Sequence, residues 1–409
     1  MIQCAYFDAD SALTYELLVS QMNRILYGVT SDLSLGFLRG HSAKLKSMGF
    51  EVAFLSSNGA LSGKFSETEG IECLTVPMAR EPAPLADFIS LCKIVAVLLR
   101  FRPTLTNFGT PKAGLLGNIA ALLTRVPCRI YTLHGLRLET ATGMKLRILR
   151  WTEWTACKCA HRVICVSQSL RQRAIGLGLV GPEKAFVLGC GTCNGVELER
   201  FLPTPAMMAR CAQLRSKLNL SINVPVIGFV GRFTRDKGIF ELLNAFDQLR
   251  REYPALQLLL VGDFEDGDPV SQSVRTRIES DPCIIRPGFV PDTSPYYHLM
   301  DVLVLPTYRE GFAVVSLEAQ AAGKPVVTTQ ATGAIDSVQH GKTGLVVPVG
   351  DAVALARAIG VLLADPAKRE KLGHTGQQWV ASVFAGDQVR TALFNEYQRL
   401  ILEKLGGRP

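Results

Sequence analysis

The sequence has no apolar run long enough to span a lipid bilayer. Its longest strictly aliphatic segment near the amino terminus is Ile94–Leu99, flanked by Lys93 and Arg100, whereas a spanning helix needs roughly 20 apolar residues. Residues 1–21 contain three acidic side chains and no Lys or Arg, which is not typical of a secretory signal peptide. We therefore expect a cytoplasmic protein.

The cysteines do not have the spacing of a disulfide framework. Eleven cysteines are scattered along the chain, and an odd number without a secretion signal indicates reduced thiols. Two close pairs, Cys157 with Cys159 and Cys190 with Cys193, lack the second pair that a zinc site needs and the thioredoxin-like context of a redox site. We expect neither a zinc site nor a redox pair.

Several ligand-binding motifs are also missing. No G-x-x-x-x-G-K-[ST] loop occurs, and no G-x-G-x-x-G follows the first strand of either predicted domain, which argues against P-loop NTPases and dinucleotide-dependent dehydrogenases. No RNA-binding motif or recognition-helix pattern occurs, so no nucleic-acid partner is expected. Asp8-Ala9-Asp10 resembles a D-x-D metal motif but precedes the first strand. Residues 262–268 lack the spacing of a calcium loop and predict a surface loop.

What the sequence does contain is the composition of a two-domain globular protein. Its 409 residues exceed one ordinary core, and 48% are hydrophobic while 20% are charged. The net charge of +8 is uneven: residues 22–200 hold 22 Lys and Arg against 12 Asp and Glu, whereas residues 201–409 hold 22 against 21. The first half is therefore expected to face phosphates or lipid headgroups.

Short aliphatic runs alternate with helical patterns along both halves. The predicted strands are residues 24–29, 51–57, 130–133, 162–167, 225–232, 256–263, 302–307 and 324–329. This alternation predicts an α/β fold of two doubly wound, Rossmann-like domains with a cleft between them. The predicted parts are an extension at 1–21, a first domain at 22–200, a second at 201–385, and a helix at 386–409 that crosses back to the first domain.

One basic turn follows a predicted strand of the second domain. In residues 228–238, Arg232 and Lys237 come after Gly231 at the carboxyl end of the strand. Ligands of doubly wound sheets bind at this edge, and two cations beside backbone N–H groups suit a diphosphate. The alternative is a pair of surface charges on a loop.

A second turn, within residues 308–325, carries two glutamates, Glu310 and Glu318, with seven residues between them. Gly311 lets the backbone approach a ligand closely, and the helix that follows presents its amino terminus. The spacing does not suit two catalytic acids acting on one bond. We interpret Glu310 as a ligand for a sugar and Glu318 as a ligand for a ribose diol.

Together these motifs resemble the family-4 group of retaining glycosyltransferases with the GT-B fold. The two glutamates match that family's E-x7-E motif, and residues 231–238 match its G-R-x-x-x-x-K-G turn. Residues 332–348 match its Gly-rich stretch near the carboxyl terminus. The resemblance extends over about residues 22–400. It implies the GT-B fold and the transfer of a sugar from a nucleotide sugar.

The resemblance also implies roles for the reacting part of the site. Gly231, Arg232 and Lys237 would bind the donor's diphosphate, and the two cations would stabilise it as it leaves. Glu310 would contact the donor sugar. His134, which follows a strand of the first domain, matches the family's active-site histidine; the alternative is a structural histidine at a strand end. In this family the acceptor is thought to attack the donor sugar on the same face from which the diphosphate leaves. That reaction needs no metal and no cofactor.

Five further positions complete the donor site that the resemblance implies. Gly311 and Phe312 would offer backbone amides beside the sugar and the phosphate. Glu318 would bind the ribose hydroxyls, and Phe289 and Val290 would line the pocket for the base.

Residues 144–160 predict a helix with a basic and aromatic stripe. The stripe consists of Arg147, Arg150, Trp151, Trp154 and Lys158. Cations and tryptophans on one face suit an anionic membrane surface. The alternative is a charged outer face whose tryptophans pack against the protein. Residues 88–102 are a weaker candidate, for which packing on the sheet is expected.

Within the family, residues 131–145 and 163–171 resemble members that build bacterial capsule, exopolysaccharide or O-antigen units. This implies a UDP-sugar donor, a polyprenyl-diphosphate-linked saccharide as acceptor, and a peripheral location at the inner face of the cell membrane. Two alternatives stay open. One is a soluble sugar or sugar-phosphate acceptor, and the other is a non-catalytic scaffold that binds sugar nucleotides.

Two stretches depart from the family pattern. Residues 1–21 have no counterpart, and Met22 stands where such chains begin, so we interpret this segment as an appended or misassigned start. Residues 31–40, after the first strand, lack the usual Gly-Gly pair. The sequence therefore does not decide whether that loop contacts the donor.

Overall fold

The computed structural model describes residues 24–79, 81, 83–192, 194–265 and 267–406. The interpretation of residues 1–21, together with Asp8-Ala9-Asp10 and Cys193, falls outside these ranges. Within them, no helix combines the length and the apolar character that crossing a membrane requires.

The chain alternates strands and helices throughout. The strands are β1 (Arg24–Gly28), β2 (Glu51–Ser56), β3 (Glu72–Thr75), β4 (Leu105–Gly109), β5 (Cys128–Leu133), β6 (Arg162–Cys165), β7 (Ala185–Phe186), β8 (Val226–Val230), β9 (Gln257–Val261), β10 (Ile284–Gly288), β11 (Val302–Leu305), β12 (Val326–Thr329) and β13 (Gly344–Val347). The helices are α1 (His41–Ser47), α2 (Ala60–Glu69), α3 (Pro84–Phe101), α4 (Pro111–Leu123), α5 (Gly143–Cys159), α6 (Gln168–Gly176), α7 (Pro205–Lys217), α8 (Ile239–Arg250), α9 (Gln272–Ser280), α10 (Ser294–Leu299), α11 (Val314–Ala321), α12 (Ala352–Ala364), α13 (Pro366–Val383) and α14 (Gly386–Leu405).

These strands form two parallel sheets. The first has the order β3-β2-β1-β4-β5-β6-β7 and the second has the order β10-β9-β8-β11-β12-β13. Strand order reverses between β1 and β4 in the first sheet and between β8 and β11 in the second. Crevices at such reversals are where doubly wound sheets bind ligands. The α/β architecture with two doubly wound sheets confirms the predicted fold class.

Both faces of the sheets are covered, which explains the continuous apolar runs of the strands. In β1, Ile25 and Tyr27 belong to a core cluster that includes residues of α14, whereas Leu26 belongs to a cluster with residues of α3 and α4. A strand buried on both faces needs apolar side chains at every position and not at alternate ones.

The sequence pattern of residues 36–49 predicts a single helix, but in the structure these residues belong to two helices. A 3₁₀ helix spans Asp32–Leu38, and α1 begins at His41. Gly40 separates them with a φ of 76°, in the left-handed region that favours glycine. The break sets α1 onto the sheet and leaves the 3₁₀ helix at the carboxyl edge of β1.

The chain passes between the two sheets twice, and the two passages lie side by side. The Val196 amide donates to the Phe384 carbonyl at 2.8 Å, and the Gly386 amide donates to the Val196 carbonyl at 3.1 Å. After the second passage, α14 packs on the first sheet, where the Asn107 Nδ2 donates to the Tyr397 Oη at 2.7 Å.

Candidate active site

The loops at the carboxyl edges of the two sheets touch directly. A Cβ atom added at Gly311, after β11, would lie 1.8 Å from the His134 carbonyl oxygen, after β5. One added at Gly135 would lie 3.2 Å from the Gly311 amide nitrogen. Only residues without a side chain allow this approach. The fold thus brings His134 of the first half to Glu310 of the second.

Lys237 and Glu310 form an ion pair, with 2.5 Å between Nζ and Oε1. Their side chains are only 12% and 15% exposed. Gly238, which ends the basic turn, has a φ of 70°, and a Cβ there would lie 2.0 Å from the Pro306 carbonyl oxygen. This tight turn holds the ammonium of Lys237 against the loop that follows β11. The sequence predicted both residues for the site but not their contact.

Arg232 is largely exposed and pairs with Glu265. Glu265 lies in the acidic stretch 262–268, for which a surface loop was predicted. The described part of that stretch also holds Asp268, which pairs with Arg235 at 3.0 Å. These carboxylates face the basic turn, so an anion that binds Arg232 has to compete with Glu265. In the described residues, no group of three or more His, Cys, Asp or Glu side chains is arranged to hold a metal ion.

Glu318 is held separately from Glu310. It projects from α11 toward α10, where the Tyr297 Oη donates to its Oε2 at 2.5 Å. Burial raises the pKa of Glu318, and the hydrogen bond from Tyr297 opposes that rise. No ion pair or hydrogen bond joins the two glutamates among the contacts of the described residues. This separation fits two ligands for two parts of one molecule.

His134 is enclosed by the first half of the chain. Its ring stacks on Phe37, with centroids 4.8 Å apart and an interplanar angle of 18°. A Cβ added at Gly109 would lie 2.6 Å from the His134 Nε2. Burial lowers the pKa of His134 to about 4, so the imidazole is neutral near pH 7. The sequence analysis did not identify Phe37 as a site residue, although its position as an aromatic residue after the first strand could have indicated it.

The backbone amides at the start of α11 differ in whether they have a hydrogen-bond acceptor among the described residues. The neighbouring amides of Glu310 and Ala313 donate to carbonyls of residues 332–333. For the amides of Gly311 and Phe312, no acceptor is found in the parts of the chain that the structure describes. The Phe312 ring itself is buried, with its centroid 5.5 Å from that of Phe384. Only the backbone of Phe312 is therefore open to a ligand.

The two residues predicted to line the base pocket differ in environment. They follow β10, whose last residue, Gly288, has a φ of 81°. Val290 is partly buried against the core, whereas Phe289 is 75% exposed. Of the two, only Val290 is covered by the protein, and Phe289 faces solvent.

Polar contacts between the two halves were not predicted from the sequence. Arg309 is held within the second half by Asp236, with 2.6 Å between Nη2 and Oδ2, and its Nε donates across to the Thr140 Oγ1 of the first half at 3.1 Å. The Thr332 Oγ1 donates to the Glu139 Oε1 at 2.7 Å. Asp236 and Arg309 directly precede the motif residues Lys237 and Glu310 in the sequence, and this position could have identified them. They hold the loops of the two halves together around Glu310.

The basic and aromatic stripe lies on α5, and its tryptophans face solvent. Trp151 is 62% and Trp154 is 42% exposed, so the alternative that they pack against the protein is wrong. The Lys158 Nζ lies 5.6 Å from the centroid of the Trp154 ring. Arg147 is exposed, and the Arg150 Nη2 donates to the Leu177 carbonyl at 2.9 Å. Exposed apolar residues on α3 are Leu85, Phe88, Ile89 and Leu99.

Comparison with known proteins agrees with this geometry. The chain matches the model for glycosyl transferases group 1 over residues 224–365 and the model for a glycosyl transferase 4-like domain over residues 38–191. It is 36% identical over 384 residues to the capsular polysaccharide biosynthesis glycosyltransferase CapM of Staphylococcus aureus, covering 94% of this chain and 99% of that protein.

Two further similarities concern a more distant relative and a solved structure. The chain is 27% identical over 296 residues to the UDP-Gal:alpha-D-GlcNAc-diphosphoundecaprenol alpha-1,3-galactosyltransferase of Escherichia coli, covering 71% of this chain and 74% of that one. Anabaena HepE in complex with UDP-glucose superposes with a TM-score of 0.76 at 22% identity, covering 92% and 99% of the two chains. The chain therefore belongs to the GT-B glycosyltransferases of the family-4 type and is a glycosyltransferase.

Proposed function

We propose that this glycosyltransferase moves a sugar from a UDP-sugar to a polyprenyl-diphosphate-linked saccharide in the biosynthesis of a cell-surface polysaccharide. The similarity to CapM over almost the whole chain supports the pathway, and the name of the Escherichia coli relative supports the donor and the acceptor class. The observation that carries the proposal is the Lys237–Glu310 pair beside two amides at the start of α11 that have no acceptor among the described residues.

The proposed reaction keeps the configuration of the donor sugar. No carboxylate of the motifs is an evident nucleophile, and Lys237 already holds the Oε1 of Glu310, so the proposal uses no covalent glycosyl intermediate. Departure of UDP from the same face leaves its phosphate beside the acceptor hydroxyl, whose proton it can take. Arg232, Lys237 and the amides of Gly311 and Phe312 supply the positive charge that stabilises this departure, so the proposal needs no metal.

Arg232→Ala is expected to weaken binding of the donor by about 10- to 100-fold, since a charge-assisted contact to a phosphate is lost. The measurement is calorimetry with a panel of UDP-, GDP- and ADP-sugars in the presence of EDTA. Arg275→Ala is the control, because Arg275 is also exposed and, among the described residues, pairs with Glu279 and the face of Phe264. Failure of every nucleotide sugar to bind the wild type contradicts the proposal.

The proposal also places the stripe of α5 on an anionic membrane. Arg147→Glu combined with Lys158→Glu is expected to lower binding to phosphatidylglycerol vesicles at least tenfold, because each basic residue near such a surface contributes about 1 kcal/mol. Vesicle sedimentation at two salt concentrations measures this loss. Lys44→Glu with Lys217→Glu, on α1 and α7, makes the same change of charge elsewhere and is expected to bind normally. Equal binding by both double variants contradicts this placement.

A further inference from the structure

An open cavity of about 870 Å³ lies between the two halves of the chain. Residues 137–145 of the first half form one wall, and residues within 235–241 and 308–309 of the second half form another. Lys237 stands within the first of these second-half segments, and Glu310 directly follows the other. The cavity therefore adjoins the proposed donor site and has room for a saccharide.

Three cations stand around Glu81 at the first-half side of this cavity, and one of them, Arg137, pairs with its carboxylate. The Arg137 Nη2 lies 3.2 Å from the Glu81 Oε1. The Lys112 Nζ donates to the Glu81 carbonyl at 2.5 Å and to the Asp87 Oδ1 at 2.7 Å. The pKa of Glu81 is lowered, first by the hydrogen bond from Arg137 and then by the charges of Arg137, Lys145 and Lys112. For Lys145, no partner is found in the described parts of the chain.

The counter-charge of Arg137 is easily exchanged, whereas Lys112 is held by Asp87 in a mostly buried ion pair. Both side chains of the Arg137–Glu81 pair are exposed to solvent, and exposed pairs contribute little free energy. Lys112 and Lys145 also stand in the first turns of α4 and α5, at the positive ends of those helices. An anion of two charges at this place gains from all three cations and from both helices.

Exposed apolar side chains flank the cations. In the first two turns of α3 and α5, these side chains are Leu85, Phe88, Met144 and Ile148. Helices α3, α4 and α5 pack side by side, and all three begin at the carboxyl edge of the sheet. The polar cavity is therefore followed by the cations and then by the apolar surface. This is the order of saccharide, phosphate and lipid in a lipid-linked saccharide.

We propose that Lys112, Arg137 and Lys145 bind the diphosphate of the lipid-linked acceptor. Its saccharide then occupies the cavity next to Glu310, and its polyprenyl chain lies over the exposed apolar side chains in the first two turns of α3 and α5. This assignment rests on the proposed function. It is separate from the donor's diphosphate, which Arg232 and Lys237 of the second half bind.

The test compares two labelled probes in neutral detergent, GlcNAc-diphosphofarnesol and GlcNAc-phosphofarnesol, which carry two charges and one charge. The wild type is expected to bind the diphosphate at least tenfold more tightly than the monophosphate. Arg137→Glu combined with Lys145→Glu is expected to reduce this preference to about twofold or less. Lys44→Glu with Lys217→Glu, which has the same net charge, is expected to keep it.

The outcomes separate this site from the proposed function. If the wild type binds a UDP-sugar but shows no preference for the diphosphate probe, the acceptor site is overturned and the donor assignment stands. If no UDP-sugar binds, the proposed function itself fails. If the Arg137 and Lys145 variant loses binding to phosphatidylglycerol vesicles but keeps the diphosphate preference, the cations bind bilayer headgroups and the acceptor site is again overturned.

Discussion

Lys237→Met is expected to lower the rate of sugar transfer by about 10²- to 10³-fold, the usual effect of removing one preorganised charge from a developing anion. Glu310→Gln is expected to lower it as well, because the ammonium of Lys237 loses the carboxylate that positions it at 2.5 Å. Initial rates with saturating acceptor measure both losses. A loss of less than tenfold in Lys237→Met contradicts its placement on the leaving diphosphate.

The ion pair also allows a control for misfolding. Each single variant leaves one mostly buried charge without its partner, which costs about 1–3 kcal/mol of unfolding free energy. The double variant Lys237→Met/Glu310→Gln removes both charges and is expected to regain most of that stability in urea unfolding. Its transfer rate is expected to stay low. Recovery of the rate together with the stability shows that the pair is structural and not catalytic.

Gly311→Ala is expected to lower the rate constant for transfer about 100-fold while changing donor affinity little. The added Cβ would lie 1.8 Å from the His134 carbonyl oxygen, and since both groups are backbone, the two halves must separate. A displacement of about 1 Å at reacting groups costs about that factor in rate. The proposed donor ligands Arg232, Lys237 and the amide of Gly311 itself, which alanine keeps, all lie in the second half, so donor binding does not need the contact between the halves.

Gly63→Ala provides the matched control for this substitution. Gly63 lies within α2, and a Cβ there meets nothing within 4 Å. The variant is expected to keep full activity and to gain about 0.5–1 kcal/mol of stability, because alanine favours the helix. Rate constants and calorimetric donor affinities of both variants decide the question. A wild-type rate in Gly311→Ala contradicts the need for a closed contact.

Much of the fold could be predicted from the sequence because most strands are apolar at every position. The exception among the central strands is β4, Leu105–Gly109, which was not predicted. Its Asn107 is buried and is bonded to Thr132 of the next strand and to Tyr397 of α14. Buried polar groups need such partners, and partners so distant in sequence cannot be inferred from local pattern.

The candidate site likewise has residues that local motifs predict and contacts that they do not. Glu310, Lys237 and Arg232 stand in motifs with fixed spacing, so their positions were predicted. The stacking of Phe37 on His134 and the contact of Arg309 with Thr140 depend on how the two halves meet. That arrangement is set by packing between elements far apart in the chain, which no local spacing encodes.

The return of α14 to the first sheet has a consequence for folding during synthesis. Leu393, Phe394, Tyr397 and Leu400 belong to the core cluster of β1, and Asn107 and Tyr397 are 290 residues apart. At about 5–20 residues per second, the ribosome needs about 15–60 s to make that segment. A cluster confined to residues 227–372 is complete earlier. This cluster of the second half is therefore expected to form before the cluster of β1 is complete, which reverses the order of synthesis.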